Sequence, residues 1–363
     1  MNPERLHSLD FFRFLAATAV VVFHYFHMGP LFGLYPLPSK AVEAYAKYGL
    51  LGVHLFFAIS GFVIMMSAER RTASTFLYNR AARLLPLFWA SCVFTFTVVA
   101  FVGPAPLRVS PGSLLASFAM LPAVLHQFQY VDGVYWTLGY EWLFYFVVAF
   151  ALASGLYRRH FSKLLFAGLV VSLIVMNTSH NWFVKFITMA EYLPYFVAGA
   201  SFNRIHAKRA EFIDVFNLAF SFLLALKWSE MYVESSQSVH NLNPAVVKAL
   251  ICIGFAAFLL MSTGKLKKLN SPFWAPLGGL TYALYLTHQN VGYSLIGRVT
   301  RDAGGSVHIV IEAIAGAMFF AYLVWRFFEK PLSALLQRKV CTCVTPVPKW
   351  KQPPTLDEMS FEN

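Results

Sequence analysis

Several ionisable side chains fall inside or at the rim of strongly apolar stretches: Asp10, Arg13, His24, His54, Arg80, Arg83, Glu141, His288 and Glu329. Such groups are costly in a low-dielectric setting, and each is a functional candidate for that reason. Arg13 and His24 are eleven residues apart in "FRFLAATAVVVFH". At 100° per residue that spacing returns to nearly the same helix face, with about 16 Å of rise between the two groups. Asp10 lies one turn before Arg13 and is placed to pair with it. Alternatively, Arg13 simply reaches to the headgroups at one membrane face. In "LYNRAARLLPLFW", Arg80 and Arg83 are i,i+3 neighbours. A pair of guanidinium groups on one face suits bidentate phosphate binding. It also suits plain anchoring beside a headgroup layer. Histidine titrates near neutrality and so suits proton transfer. Glu141 is an acid within an apolar run, where a carboxylate needs a partner.

The elements that position these groups follow from composition. The chain has 363 residues, 58% hydrophobic and 13% charged, with a mean hydropathy of +0.57. Soluble domains carry about 25% charged residues. The fold class expected is all-α, a polytopic membrane protein with about ten transmembrane helices and both termini cytoplasmic. The spans are roughly 8–28, 49–67, 84–102, 134–154, 161–178, 187–203, 211–228, 245–263, 274–297 and 307–328. Segment 111–126 is apolar but Pro-flanked and short, which predicts a re-entrant or interfacial helix. The net charge of +12 does not form a nucleic-acid patch, and no nucleic-acid partner is expected. The basic residues cluster between apolar segments, as at Arg158, Arg159 and Lys163, or Lys265, Lys267 and Lys268. With the N-terminus inside, most of them fall in cytoplasmic loops, and the partner implied is the lipid bilayer.

The transmembrane unit is expected over 1–340, followed by a polar, Pro-rich, disordered cytoplasmic tail over 341–363. The small residues Ala16, Ala17 and Ala19 lie within the first apolar run rather than after it, which argues for a retained helix over a cleaved signal. Cys92 and Cys252 sit in apolar segments as small buried thiols, and Cys341 with Cys343 lies in the tail, where a structural disulfide is not expected.

Topology also assigns depth. His24 comes about 16 residues into an outward-running span and His288 about 14 residues into another. His54 and Glu141 come about five and seven residues into inward-running ones. All four fall toward the outer face. For His27 and His54, satisfaction by a neighbour or by interfacial water is a better explanation than function.

Six stretches taken together resemble the acyltransferase 3 family of integral membrane O-acyltransferases: "LDFFRFLAATAVVVFH", "GVHLFFAISGFVI", "FLYNRAARLLPLFW", "YWTLGYEWLFY", "LTYALYLTHQNV" and "FFEKP". They stand in family order over nearly the whole chain apart from the tail. The resemblance implies transfer of an acyl group, usually acetyl, from cytoplasmic acyl-CoA to a sugar hydroxyl of a surface or exported glycan, in a bacterial inner membrane. It matches Arg13 and His24 to the family's first-helix arginine and catalytic histidine. It matches Arg80 and Arg83 to the R-x-x-R pair tied to the acyl donor. Glu141 and His288 join the catalytic set, and Glu329 is the acid of the closing E-[KR]-P. His54 stands where the family commonly has Asp, and Gly139-Tyr140 replaces a more usual polar pair. The family's fused extracytoplasmic domain is not expected here.

Such a transfer needs a base for the hydroxyl and donors for the developing oxyanion. His24 suits the base, and Glu141 is placed by depth to orient it. Without an obvious Ser or Cys nucleophile, direct transfer is the first expectation and a transient acyl-His24 the second. Acetyl-CoA is expected as a donor substrate, with no permanently bound cofactor. Two other classes fit parts of the pattern: a proton-coupled or glycolipid transporter, and a metal or haem site on His24, His54 and His288. No compact metal-ligand spacing supports the latter, and no metal is expected.

Overall fold

The computed structural model describes residues 6–69, 71–120, 125, 127–303 and 306–343. Among these the regular structure is helical throughout. The helices that matter here are α1 (His7–Phe23), α2 (Lys40–Ala46), α3 (Gly52–Ala68), α4 (Ala73–Val102), α5 (Pro111–Phe118), α6 (Trp136–Ala153), α7 (Phe161–Thr178), α8 (Leu193–His206), α9 (Phe212–His240), α10 (Pro244–Ser262), α11 (Trp274–Gly279), α12 (Thr281–Thr287), α13 (Gln289–Ala303), α14 (Val307–Val324) and α15 (Lys330–Cys343). Helix α15 carries regular structure three residues into the expected tail; 344–363 lie outside the described residues.

Eight helical stretches among the described residues are long and apolar enough to cross a bilayer. They are His7–Leu31, Lys40–Ala68, Ala73–Val102, Gly133–Ala153, Phe161–Thr178, Phe212–His240, Pro244–Ser262 and Val307–Leu336. The other two expected spans, 187–203 and 274–297, are not single continuous helices. In 187–203, Met189 adopts a left-handed backbone (φ 52°) and only α8 continues as helix. Its 14 residues rise about 21 Å, short of a hydrocarbon core of about 30 Å. In 274–297 the helix is divided at Leu280 and again at His288 into α11, α12 and α13, although both residues keep right-handed helical backbone. Both broken runs are interior: Leu193 through Phe202 and Thr281 through Thr287, apart from Tyr282, are buried. Within 111–126 the described residues form the eight-residue α5, capped by Ser110, whose side chain accepts from the backbone of Ser113, and 121–124 and 126 lie outside the described residues. Helix α9 runs on to His240, so most of the expected outer loop 229–244 is helical.

Helix α1 packs against α3 on one side and α11 and α12 on another, while α3 makes its most extensive contact with α8. The α3–α8 contact is backbone on backbone. A Cβ at Gly61 would strike the carbonyl of Phe196, and one at Gly199 would strike that of Ala58. Without a hydrophobic drive between helices in lipid, such small-residue seams let dispersion contacts do the holding. Gly199→Val is therefore expected to destabilise the fold by about 1–3 kcal/mol, the usual cost of overpacking. A melting curve in detergent that matches wild type would contradict this.

Candidate active site

The chain's polar groups gather at two adjoining places. The first is a pair of imidazoles. His24 ends α1 and opens a π-helical turn, His24–Met28, an irregularity often found at functional positions. His288 occupies the break between α12 and α13. Nδ1 of His24 lies 2.8 Å from the carbonyl of Val20 and 3.1 Å from Nε2 of His288. The ring centroids are 4.9 Å apart at 64°. His288 is 1% exposed, whereas His24 retains part of its surface.

The break at His288 is held by side chains from elsewhere. The hydroxyl of Tyr25 donates to the carbonyl of His288 at 2.8 Å, and that of Tyr135 to the carbonyl of Leu286 at 3.0 Å. On the α13 side, the backbone N–H of Asn290 donates to Asp132 Oδ2 at 2.9 Å. The Asn290 side chain in turn donates to the carbonyl of Val131, also at 2.9 Å. Buried backbone groups at a helix interruption need partners, and Tyr25, Tyr135 and Asp132 supply them, while the Asn290 side chain ties the segment to Val131.

The second place is a cavity of about 230 Å³ on the Arg13 side of the same helix packing. Its wall includes Arg13, Arg80, Arg83, Glu141, Tyr145 and Glu329. Glu141 Oε1 accepts from Ser60 Oγ at 2.9 Å and from the Tyr145 hydroxyl at 2.5 Å. The Arg80 guanidinium lies 6.0 Å from the ring centroids of both Phe76 and Tyr145. Asp10 pairs with Arg13 at 3.7 Å and with His7 at 3.3 Å. Two buried cavity atoms, Arg80 Nε and Glu329 Oε2, have no hydrogen-bond partner among the described residues. A buried, unmatched guanidinium nitrogen is suited to an anionic ligand. The donor set of this cavity therefore suits an anionic group such as a phosphate.

Of the residues singled out by sequence, the structure thus joins His24 to His288, and Arg13, Arg80, Arg83, Glu141 and Glu329 to one another. Glu141 is not placed as the orienting partner of His24. Its first oxygen is taken by Ser60 and Tyr145, and the ring against His24 is His288. Equal depth along a span says nothing about which spans are neighbours. His54 stands apart, with its ring centroid 4.7 Å from that of Tyr195, in a small pocket with Glu191, Trp228 and Tyr232. His27 is bonded to Glu43 at 2.6 Å and to His240 at 3.0 Å.

Sequence reasoning missed Ser60, Tyr145, Tyr25, Tyr135 and Asp132. Tyr145 had a usable signal, since it lies four residues after Glu141 and hence on the same face. Asp132, just ahead of an apolar run, was another.

Residues 6–326 match the family described as "Acyltransferase domain", acyltransferase 3. The chain belongs to that family. It is a multi-pass membrane acyltransferase. It is also similar to the exopolysaccharide production protein ExoZ of Rhizobium meliloti (strain 1021), at 25% identity over 294 residues, covering 78% of this chain and 89% of that protein. No solved structure matches it.

Proposed function

We propose that this acyltransferase moves an acetyl group from cytoplasmic acetyl-CoA to a hydroxyl of an exported polysaccharide at the bacterial inner membrane, with both termini in the cytoplasm and His24 as general base. One observation carries the reading: a single helix, α1, presents Arg13 to the basic cavity and His24 to the imidazole pair. Their separation of about 16 Å along the helix is a span that an extended pantetheine arm can cover. The relative's name, which concerns exopolysaccharide production, supports a glycan acceptor.

His24 removes the proton of the sugar hydroxyl as its oxygen attacks the thioester carbonyl carbon. A C–O bond forms and the C–S bond breaks. The thiolate leaves and takes the proton back from the imidazolium, so CoA departs as the thiol. General-base action of this kind contributes about 10²–10⁴-fold.

Glycan from a deletion strain is expected to lack acetyl esters that its parent carries, and complementation should restore them. NMR and mass spectra of the purified polysaccharide make the comparison. Identical acetylation in both strains would rule out the proposed acceptor class.

A further inference from the structure

The reading of His24 as base leaves open which ring nitrogen does the work. We propose that His288 is a positioning residue that holds His24 in the tautomer protonated at Nδ1, leaving Nε2 to take the hydroxyl proton. Nδ1 of His288 lies 3.0 Å from the carbonyl of Leu284 and 2.9 Å from that of Tyr285. A carbonyl can only accept, so this nitrogen carries a proton. Nε2 of a neutral His288 then carries a lone pair, and it faces Nδ1 of His24 at 3.1 Å. The carbonyl of Val20, 2.8 Å from that same Nδ1, also only accepts. Two acceptors converge on Nδ1 of His24, so the proton resides there. In the neutral ring the lone pair falls to Nε2.

A protonated Nε2 on His288 would set N–H against N–H, so the geometry requires His288 to be neutral. When His24 takes the substrate proton, its Nδ1–H becomes a charge-assisted donor to His288. A carboxylate in that position would do the same for an imidazolium. Buried here, however, it would carry a charge with a large desolvation cost. A second imidazole orients the base without that cost.

The brace behind His288 completes the device. Tyr25 and Tyr135 hold the carbonyls flanking the ring, and Asp132 holds the N–H of Asn290. Gly292 leaves room for Tyr25, because a Cβ there would meet its hydroxyl.

Solid-state NMR of the full chain in lipid vesicles, with ¹⁵N-labelled histidine, tests the proposal. The signals of His24 are identified by their loss in His24→Ala. In wild type at neutral pH, Nδ1 should appear protonated and Nε2 unprotonated. His288→Leu leaves the Val20 carbonyl as the remaining acceptor at Nδ1 of His24, so it should raise the share of the other tautomer and lower kcat by about 10²-fold with the KM for acetyl-CoA nearly unchanged. His288→Gln, whose amide oxygen can accept from His24, should recover activity to within about tenfold of wild type. A protonated Nε2 in wild type would overturn the proposal alone, as would wild-type kcat in His288→Leu when His24→Ala is inactive. Full activity in His24→Ala would remove the base reading and this inference with it.

Discussion

Membranes carrying His24→Ala, given radiolabelled acetyl-CoA and the purified host polysaccharide, should transfer acetyl groups about 10²–10⁴-fold more slowly than wild-type membranes. The size follows from what the substitution removes. A sugar hydroxyl is a poor nucleophile at neutral pH, and transfer depends on a positioned base within hydrogen-bond reach of its proton. His24 has part of its surface open, whereas the adjoining His288 is buried and committed to two backbone carbonyls. Among the described residues no other imidazole is placed to substitute: His27 is engaged with Glu43 and His240, and His54 lies in a different pocket. The fold should survive, because truncation at a partly open helix end costs little packing. Transfer at the wild-type rate would show that His24 is not the base.

The second large effect is expected on the donor side. The double variant Arg80→Ala, Arg83→Ala should raise the apparent KM for acetyl-CoA by roughly 10²-fold while leaving the acceptor KM near wild type. A hydrogen bond to a charged group contributes about 1.5–3 kcal/mol, and each 1.4 kcal/mol is tenfold in affinity. Two lost guanidinium contacts therefore account for the estimate at its lower end. Arg80 is 8% exposed, and its Nε has no hydrogen-bond partner among the described residues. It also lies against the Tyr145 and Phe76 rings, so its removal affects packing as well as charge. Arg80→Lys separates these effects. It keeps the charge but loses the bidentate fork, and should show an intermediate KM with a wild-type melting temperature. An unchanged KM for acetyl-CoA in the double variant would remove the phosphate role.

Much of the candidate site was legible in the one-dimensional pattern because burial of charge in an apolar chain is conspicuous. Arg13, Arg80, Arg83, Glu141 and Glu329 were each visible as ionisable groups in or beside apolar runs, and they line one cavity. The eleven-residue interval from Arg13 to His24 followed from helix periodicity alone. Hydropathy identified the membrane class, since a chain with 13% charged residues cannot cover a soluble surface of this size.

Other features depended on contacts between distant segments. Apolar content cannot distinguish a continuous helix from a broken one. Runs 187–203 and 274–297 therefore read as unbroken helices, whereas the structure divides them at Met189, Leu280 and His288. Depth along a span was estimated from residue counts, but lateral neighbourhood was not. Glu141 was thus expected beside His24 and is instead bonded to Ser60 and Tyr145.

By itself, the sequence determined a helical membrane protein with a basic pair, an acid and two histidines set in lipid-compatible segments, because residue type and helical period suffice for that. Only the tertiary structure decided which of those groups meet. The packing of α1 against α11 and α12 brings His288 to His24, and the carbonyls of Val20, Leu284 and Tyr285 then dictate where the ring protons reside. Proton placement depends on which acceptors converge on a nitrogen, and here that convergence joins residues 264 positions apart.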